Sequence, residues 1–203
     1  MKPRYWWLSV GFLALTMIIW LDGGAAAGIK TTITGGNGFT LALQKDGSLW
    51  AWGSNNNGEL GLGSADGNAH PTPAQVGTGY VAVAAREHHS LGLKADGSLW
   101  AWGRNAEGQL GLESADGNAH PTPAQVGTGY VAVTAGGFYS LGLQADGSLL
   151  AWGSNIYGQL GLGSADYNAH PTPAPVGTGY VAVAAGGYHT LGLQANGSLW
   201  AWG

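Results

Sequence analysis

Asp46-Gly47-Ser48-Leu49-Trp50-Ala51-Trp52-Gly53 is read four times in this chain of 203 residues. It returns unchanged at 96–103, with Leu150 for the first tryptophan at 146–153, and with Asn196 for the aspartate at 196–203. The flanks keep step. Pro71-Thr72-Pro73 recurs at 121–123 and 171–173, and Gly79-Tyr80-Val81-Ala82-Val83 at 129–133 and 179–183. A fixed period of this kind marks an architecture in which each unit buries its apolar face against the next. The units run 36–85, 86–135 and 136–185, residues 186–203 begin a fourth, and 29–35 read as the tail of a preceding one.

Within a unit the pattern is that of short strands. His89 to Lys94 alternates, with Leu91 and Leu93 on one side and Ser90 and Gly92 on the other. Asp96-Gly97 supplies the positive φ that a tight reversal needs, and Leu99 to Gly103 returns with Trp100 and Trp102 on one face. Tyr80-Val81-Ala82-Val83 is apolar and leads into small residues, as suits a strand beside a crowded axis. Gly108-Gln109-Leu110-Gly111-Leu112 is expected to form the fourth, edge strand. The proline-bearing segment from Ser114 to Gln125 is then the link to the next unit. Four strands per unit of about 50 residues predict β-propeller blades, an all-β fold of four-stranded antiparallel sheets.

Composition agrees. Glycine supplies 38 residues, which excludes a helical bundle because each costs about 1 kcal/mol in a helix relative to alanine. A hydrophobic share of 45% excludes simple disorder. There is no cysteine, hence no disulfide or thiolate metal site. Seven basic residues leave no stripe for a phosphate backbone, so no nucleic-acid partner is expected.

At the N-terminus Lys2 and Arg4 precede an apolar run from Trp6 to Leu21, followed by Asp22-Gly23-Gly24 and Ala25-Ala26-Ala27. The run is shorter than the roughly 20 residues of a membrane helix, and the alanines fit a signal-peptidase site. Residues 1–27 are therefore read as a secretory signal peptide, with an uncleaved anchor as the alternative. The expected location is secreted, periplasmic or cell-surface, with no membrane span after cleavage. Removal of the segment leaves five basic and ten acidic side chains.

The motifs also carry a family resemblance. The stretch Val183-Ala184-Ala185-Gly186-Gly187-Tyr188-His189-Thr190-Leu191-Gly192-Leu193, the Asp-Gly-Ser-Leu-Trp-Ala-Trp-Gly block and Gly158-Gln159-Leu160-Gly161-Leu162-Gly163 resemble the regulator of chromosome condensation repeat. A tryptophan–aspartate repeat would end its third strand in Trp-Asp, and a kelch repeat would place a Gly-Gly pair before spaced Tyr and Trp. The resemblance implies a seven-bladed propeller, of which residues 28–203 hold about 3.5 units of 50, an incomplete ring. Either the chain is part of a longer product, or two chains associate to complete the ring. The founding branch implies nucleotide exchange on a small nuclear GTPase and chromatin binding, which a signal peptide and acidic charge oppose. A secreted bacterial branch includes protein inhibitors of β-lactamases, which supports protein binding in general.

Near-identical units make their differences informative. The positions after each Trp-Gly vary most: Asn55-Asn56-Asn57, then Asn105-Ala106-Glu107, then Asn155-Ile156-Tyr157. A second variable stretch is Arg86-Glu87-His88-His89 against Gly136-Gly137-Phe138-Tyr139 and Gly186-Gly187-Tyr188-His189. Both sit at strand ends, where propeller loops gather. Arg86, Glu87, His88, Arg104, Glu107, Phe138, Tyr139, Ile156, Tyr157 and Tyr188 are thus candidate contacts for a protein partner, against drift at tolerant loop positions.

No catalytic set stands out. Arg86-Glu87-His88-His89 has no nucleophile at a known spacing, and alternation sends its histidines to opposite faces. Asp66, Asp116 and Asp166 each precede a histidine (His70, His120, His170) by four residues, but Asp-Gly-Asn is ordinary turn chemistry and no metal is expected. No cofactor is expected either. Trp50, Trp52, Trp100, Trp102, Trp152, Trp200 and Trp202 read as packing between blades, each indole N–H needing a partner. The sequence-level reading is a non-catalytic secreted interaction module. Its alternatives are an architectural segment of a larger envelope or adhesion protein and exchange-factor-like activity.

Overall fold

The computed structural model describes residues 30–203. The segment read as a signal peptide lies outside them. Fifteen strands form four antiparallel sheets. The first sheet holds β1 (Thr32–Gly35), β2 (Phe39–Leu43), β3 (Leu49–Asn55) and β4 (Asp66–Gly77). The second holds β5 (Tyr80–Arg86), β6 (His89–Lys94), β7 (Leu99–Asn105) and β8 (Asp116–Gly127). The third holds β9 (Tyr130–Ala135), β10 (Tyr139–Gln144), β11 (Leu149–Ser154) and β12 (Ala169–Gly177). The fourth has three strands, β13 (Tyr180–Ala185), β14 (Thr190–Gln194) and β15 (Leu199–Trp202). Strand order within each sheet follows the chain, as in propeller blades. Sequence unit 36–85 therefore takes the last three strands of one sheet and the first of the next.

The fourth strand is not the expected one. Residues 108–112 form a turn, with Gly108 and Gly111 at φ of +77° and +73°. The proline-bearing segment is the outer strand, β8. Its partner register jumps from Ala101↔Ala124 to Gly103↔His120, so Pro121-Thr122-Pro123 lies in a bulge. An edge strand with a bulge tolerates proline because the missing N–H is not needed for the ladder. The glycine turn does the linking instead. The Glu113 N–H donates to the Pro171 carbonyl of the next sheet at 2.9 Å, as Gly63 does to Pro121.

The core lies in the seams between sheets. Leu41, Leu43, Leu49 and Leu60 of the first sheet, each fully buried, meet Tyr80 and Trp102 of the second. The second seam repeats this with Leu91, Leu93, Leu99 and Leu110 against Tyr130 and Trp152. The third does so with Leu141, Leu143, Leu149 and Leu160 against Tyr180 and Trp202. One carbonyl locks each seam. Glu59 O accepts from the Trp102 indole at 2.8 Å and the Ser90 hydroxyl at 2.8 Å. Gln109 O accepts from Trp152 and Ser140, and Gln159 O from Trp202 and Thr190.

The other tryptophan series stays within its own sheet. The Trp100 indole donates to Ser98 Oγ, whose own proton goes to Asp96, and Trp50 repeats this through Ser48 and Asp46. Among the described residues no helix is long and apolar enough to cross a membrane.

Candidate functional site

The β1–β2, β5–β6, β9–β10 and β13–β14 turns share one end of the sheets with the β3–β4, β7–β8 and β11–β12 loops. All ten residues singled out by repeat-to-repeat variation lie on that face. They are not equally free, because several pair across a seam.

At the first seam the His88 Nδ1 lies 3.7 Å from Glu59 Oε1. Glu59 stands where the other units have Gln109 and Gln159, and it is buried. Its carboxylate accepts from the Asn57 N–H at 2.6 Å and the Ser54 hydroxyl at 3.4 Å. At the second seam Arg104 donates to Glu107 at 3.0 and 3.3 Å and lies over the Phe138 ring, 5.8 Å from its centroid. Gln109 holds Glu107 from behind at 3.2 Å. At the third seam Tyr157 and Tyr188 meet edge to face with centroids 5.1 Å apart. The equivalent turn residues His88, Phe138 and Tyr188 thus enter an acid–imidazole, a cation–π and an aromatic pair in succession, with partners from different positions of the preceding loop.

Tyr139 is a correction. It is completely buried, with its hydroxyl donating to the His189 carbonyl and lying 3.1 Å from Thr190 Oγ1, whose own proton goes to Gln159 O. It is a seam residue and offers nothing to a partner. Burial raises its hydroxyl pKa, opposed by the Thr190 hydrogen bond and then the Arg86 charge. Its counterpart His89 is also fully buried, with Nε2 at 3.0 Å from Ser140 Oγ. Because that hydroxyl gives its proton to Gln109 O, the imidazole must donate from Nε2. Burial, then the neighbouring His88, pulls the His89 pKa down to about 4 against a backbone hydrogen bond at Arg86.

What remains accessible is concentrated at the third seam. Tyr157 is 57% exposed and Tyr188 is 50% exposed, with Ile156 half-buried beside them. Tyr167, 93% exposed, lies on the same β11–β12 loop as Tyr157. Sequence reasoning missed it although the signal was present, since it replaces Gly67 and Gly117 of the other units. Glu59 was missed likewise, hidden in a motif where only its carboxylate differs from Gln109 and Gln159.

The Asp–His pairs are local clips. His70, His120 and His170 lie 3.1, 3.1 and 3.0 Å from their aspartates, which also cap the Asn68, Asn118 and Asn168 N–H groups. The Asp166 carboxyl is pulled down to about 2, first by the Asn155 side-chain hydrogen bond and then by the Asn168 backbone. No third metal-ligating side chain joins any pair among the described residues.

The inner strands surround a central cavity of about 990 Å³. Its lining is mainly small: Thr32 and Thr34, Val83 to Ala85, Ala132 to Ala135, and Val181 to Ala185. Its charged lining groups are Arg86 and Glu87.

Comparison with known proteins supplies a consistent set of matches. The family model described as the regulator of chromosome condensation (RCC1) repeat matches residues 46–93, 96–143 and 146–193. A second model of the same description matches 31–59, 80–109 and 130–159. The mitochondrial RCC1 domain-containing protein RUG3 of Arabidopsis thaliana is 40% identical over 62 residues, 30% of this chain and 14% of that one. Among solved structures, yeast RCC1 (Prp20) bound to Kap60 superposes with a TM-score of 0.75 at 24% identity, covering 89% of this chain and 45% of that one. Human WBSCR16 gives 0.73 at 26% identity, covering 83% and 45%. Prp20p from Saccharomyces cerevisiae, described with its binding properties to Gsp1p and histones, gives 0.71 at 26%, covering 79% and 42%. The chain spans less than half the length of each of these proteins.

Proposed function

The chain belongs to the regulator of chromosome condensation repeat family, and from that premise we propose that it is a non-catalytic protein-interaction module acting outside the cytoplasm, secreted, periplasmic or on the cell surface. The observation that carries the reading is the tyrosine surface at the third seam. Tyr157, Tyr167 and Tyr188 are half or more exposed and replace Asn57 or Glu107, Gly67 or Gly117, and His88 or Phe138 of the other units. Rigid aromatic side chains that shed much area at small entropic cost are the usual anchors of protein interfaces. Affinity capture with the purified protein, followed by titration of each captured partner, tests the reading. Tyr157→Ala is expected to weaken binding of a true partner at least tenfold. Partners that bind the Tyr157→Ala and Tyr188→Ala variants as well as wild type would refute it.

A second reading, an architectural segment of a larger repeat protein, is favoured by the fourth sheet. Leu199 and Trp200 are 70% and 53% exposed there, whereas Leu99 and Leu149 are completely buried. Three internal seams indicate what fits such a face: a sheet presenting tyrosine over glycine beside tryptophan, as Tyr80, Gly92 and Trp102 do. The first sheet of a second copy offers Lys30 and Ala42 at the first two positions. Two copies would also bring together eight sheets rather than seven. A further repeat therefore fits the face better than self-association. A monodisperse monomer in native mass spectrometry accords with this; a stable dimer would overturn the preference.

A further inference from the structure

Arg86 stands where the other sheets have Gly36, Gly136 and Gly186, so its guanidinium is an addition to the repeated framework. It is half-buried at the mouth of the central cavity. Arg104 is neutralised by Glu107, but Arg86 takes part in none of the ion pairs among the described residues. Its Nη2 lies 3.8 Å from the point a Cβ on Gly187 would occupy, so it reaches from the second sheet to the fourth. The residue after Gly187 is Tyr188, which packs on Tyr157. The arginine and the tyrosine surface are therefore continuous.

The turn that carries it is unusual. Glu87 adopts a φ of +44°, a left-handed conformation that costs a non-glycine residue energy. Backbone hydrogen bonds join the turns at the cavity mouth from Asn37 N to Glu87 O at 2.7 Å and from Gly137 N to Gly187 O at 3.1 Å. No such bond joins residues 87 and 137 among the described residues. The series of hydrogen-bonded turns is thus interrupted between residues 87 and 137, beside Arg86.

We propose that Arg86 and the cavity mouth form a subsite for a single carboxylate carried by the protein partner on a segment of small apolar residues. It deepens the interaction reading and rests on it. A carboxylate matches one guanidinium in a two-point hydrogen-bonded pair. A phosphate dianion would bring twice the charge to a site where Glu87 stands beside a single lining guanidinium. The Val and Ala lining below accepts small aliphatic side chains and offers little to polar ones.

The test uses two peptides, acetyl-Val-Ala-Glu-Ala-Val-amide and its glutamine counterpart, titrated into isotopically labelled protein with the Glu87, Gly137 and Gly187 amide resonances as reporters. The glutamate peptide is expected to bind about fivefold tighter. That preference should vanish in Arg86→Gly, which restores the residue of the other three sheets, and in Arg86→Gln, which keeps a long polar side chain. Equal binding of the two peptides, binding of neither, or a glutamate preference that survives Arg86→Gln overturns the proposal. So does inorganic phosphate moving the same resonances when the peptide does not. Each of these outcomes leaves the tyrosine surface to be judged separately, by the effect of Tyr157→Ala on captured partners.

Discussion

His89 sets a pH dependence that can be worked out from its surroundings. The imidazole is completely buried between the second and third sheets, donates to Ser140 Oγ, and has its pKa lowered to about 4 from a usual value near 6.5. In the unfolded chain the ring protonates as pH falls through about 6.5, while the folded protein resists until about 4. The unfolded state therefore gains protons first, and stability falls across that window. Between pH 7.5 and pH 4.5 the loss from this one group is about 2.5 kcal/mol. The aspartates with lowered pKa act in the same direction but in a lower window, losing their contribution as pH falls below 3.8. His89→Tyr removes the titrating group. Tyr139 fills the same place in the third sheet but beside Gly136, where the second sheet has Arg86, so the variants are compared by the pH dependence of their stability and not by its absolute value. His89→Phe follows the precedent of Phe39 in the first. Urea unfolding of wild type and both variants at pH 7.5, 6.0 and 4.5, read by tryptophan fluorescence, measures the difference. Wild type should lose about 2.5 kcal/mol relative to either variant over that range. If all three lose stability in parallel, His89 does not titrate as its burial demands and the reasoning fails.

Two further substitutions probe the framework. Gly142→Ala places a methyl about 2.4 Å from the Tyr130 ring and should cost about 1–3 kcal/mol, whereas in a Tyr130→Lys background, which reproduces the Lys30–Ala42 pair of the first sheet, the same change should be near neutral. A double-mutant cycle by chemical denaturation reads the coupling, and strict additivity would refute the pairing. Glu113 adopts a φ of +65° where the other units have Gly63 and Gly163, so Glu113→Gly should stabilise by about 0.5–1 kcal/mol and raise Tm by about 2 °C in calorimetry. A lowered Tm would mean that the side chain has a compensating contact.

The repeat, the hairpins and one of the two tryptophan roles are legible in the sequence because each follows from local chemistry. Asp96-Gly97 dictates a reversal wherever it stands, and the alternation through Leu91 and Leu93 states which face must be covered. The outer strand was misplaced for an equally physical reason. Proline argues against a central strand, but β8 has a partner on one side only, and a bulge absorbs Pro121 and Pro123. The glycine turn looked like a strand because Leu110 and Leu112 alternate, although Gly108 and Gly111 need positive φ. Tryptophans two residues apart share a face, yet Trp102 and Trp100 find partners at different levels of the fold. One reaches the preceding sheet, the other its own hairpin.

The candidate site was legible only as a set of variable positions, because variation does not say which residue meets which. Sheets this similar carry a specificity problem: identical seams permit a sheet to dock beside the wrong neighbour, in register and at nearly equal energy. Pairing Glu59 with His88, Arg104 with Phe138, and Tyr157 with Tyr188 gives each seam its own chemistry, so exchanging two sheets would set Arg104 against an imidazole or Glu59 against a phenyl ring. Part of the variation is therefore spent on order within the fold. The remainder, in Arg86, Tyr167 and the outward faces of Tyr157 and Tyr188, has no seam that requires it. These outward faces and an arginine without an acid are the surfaces that the proposed interaction reading assigns to a partner.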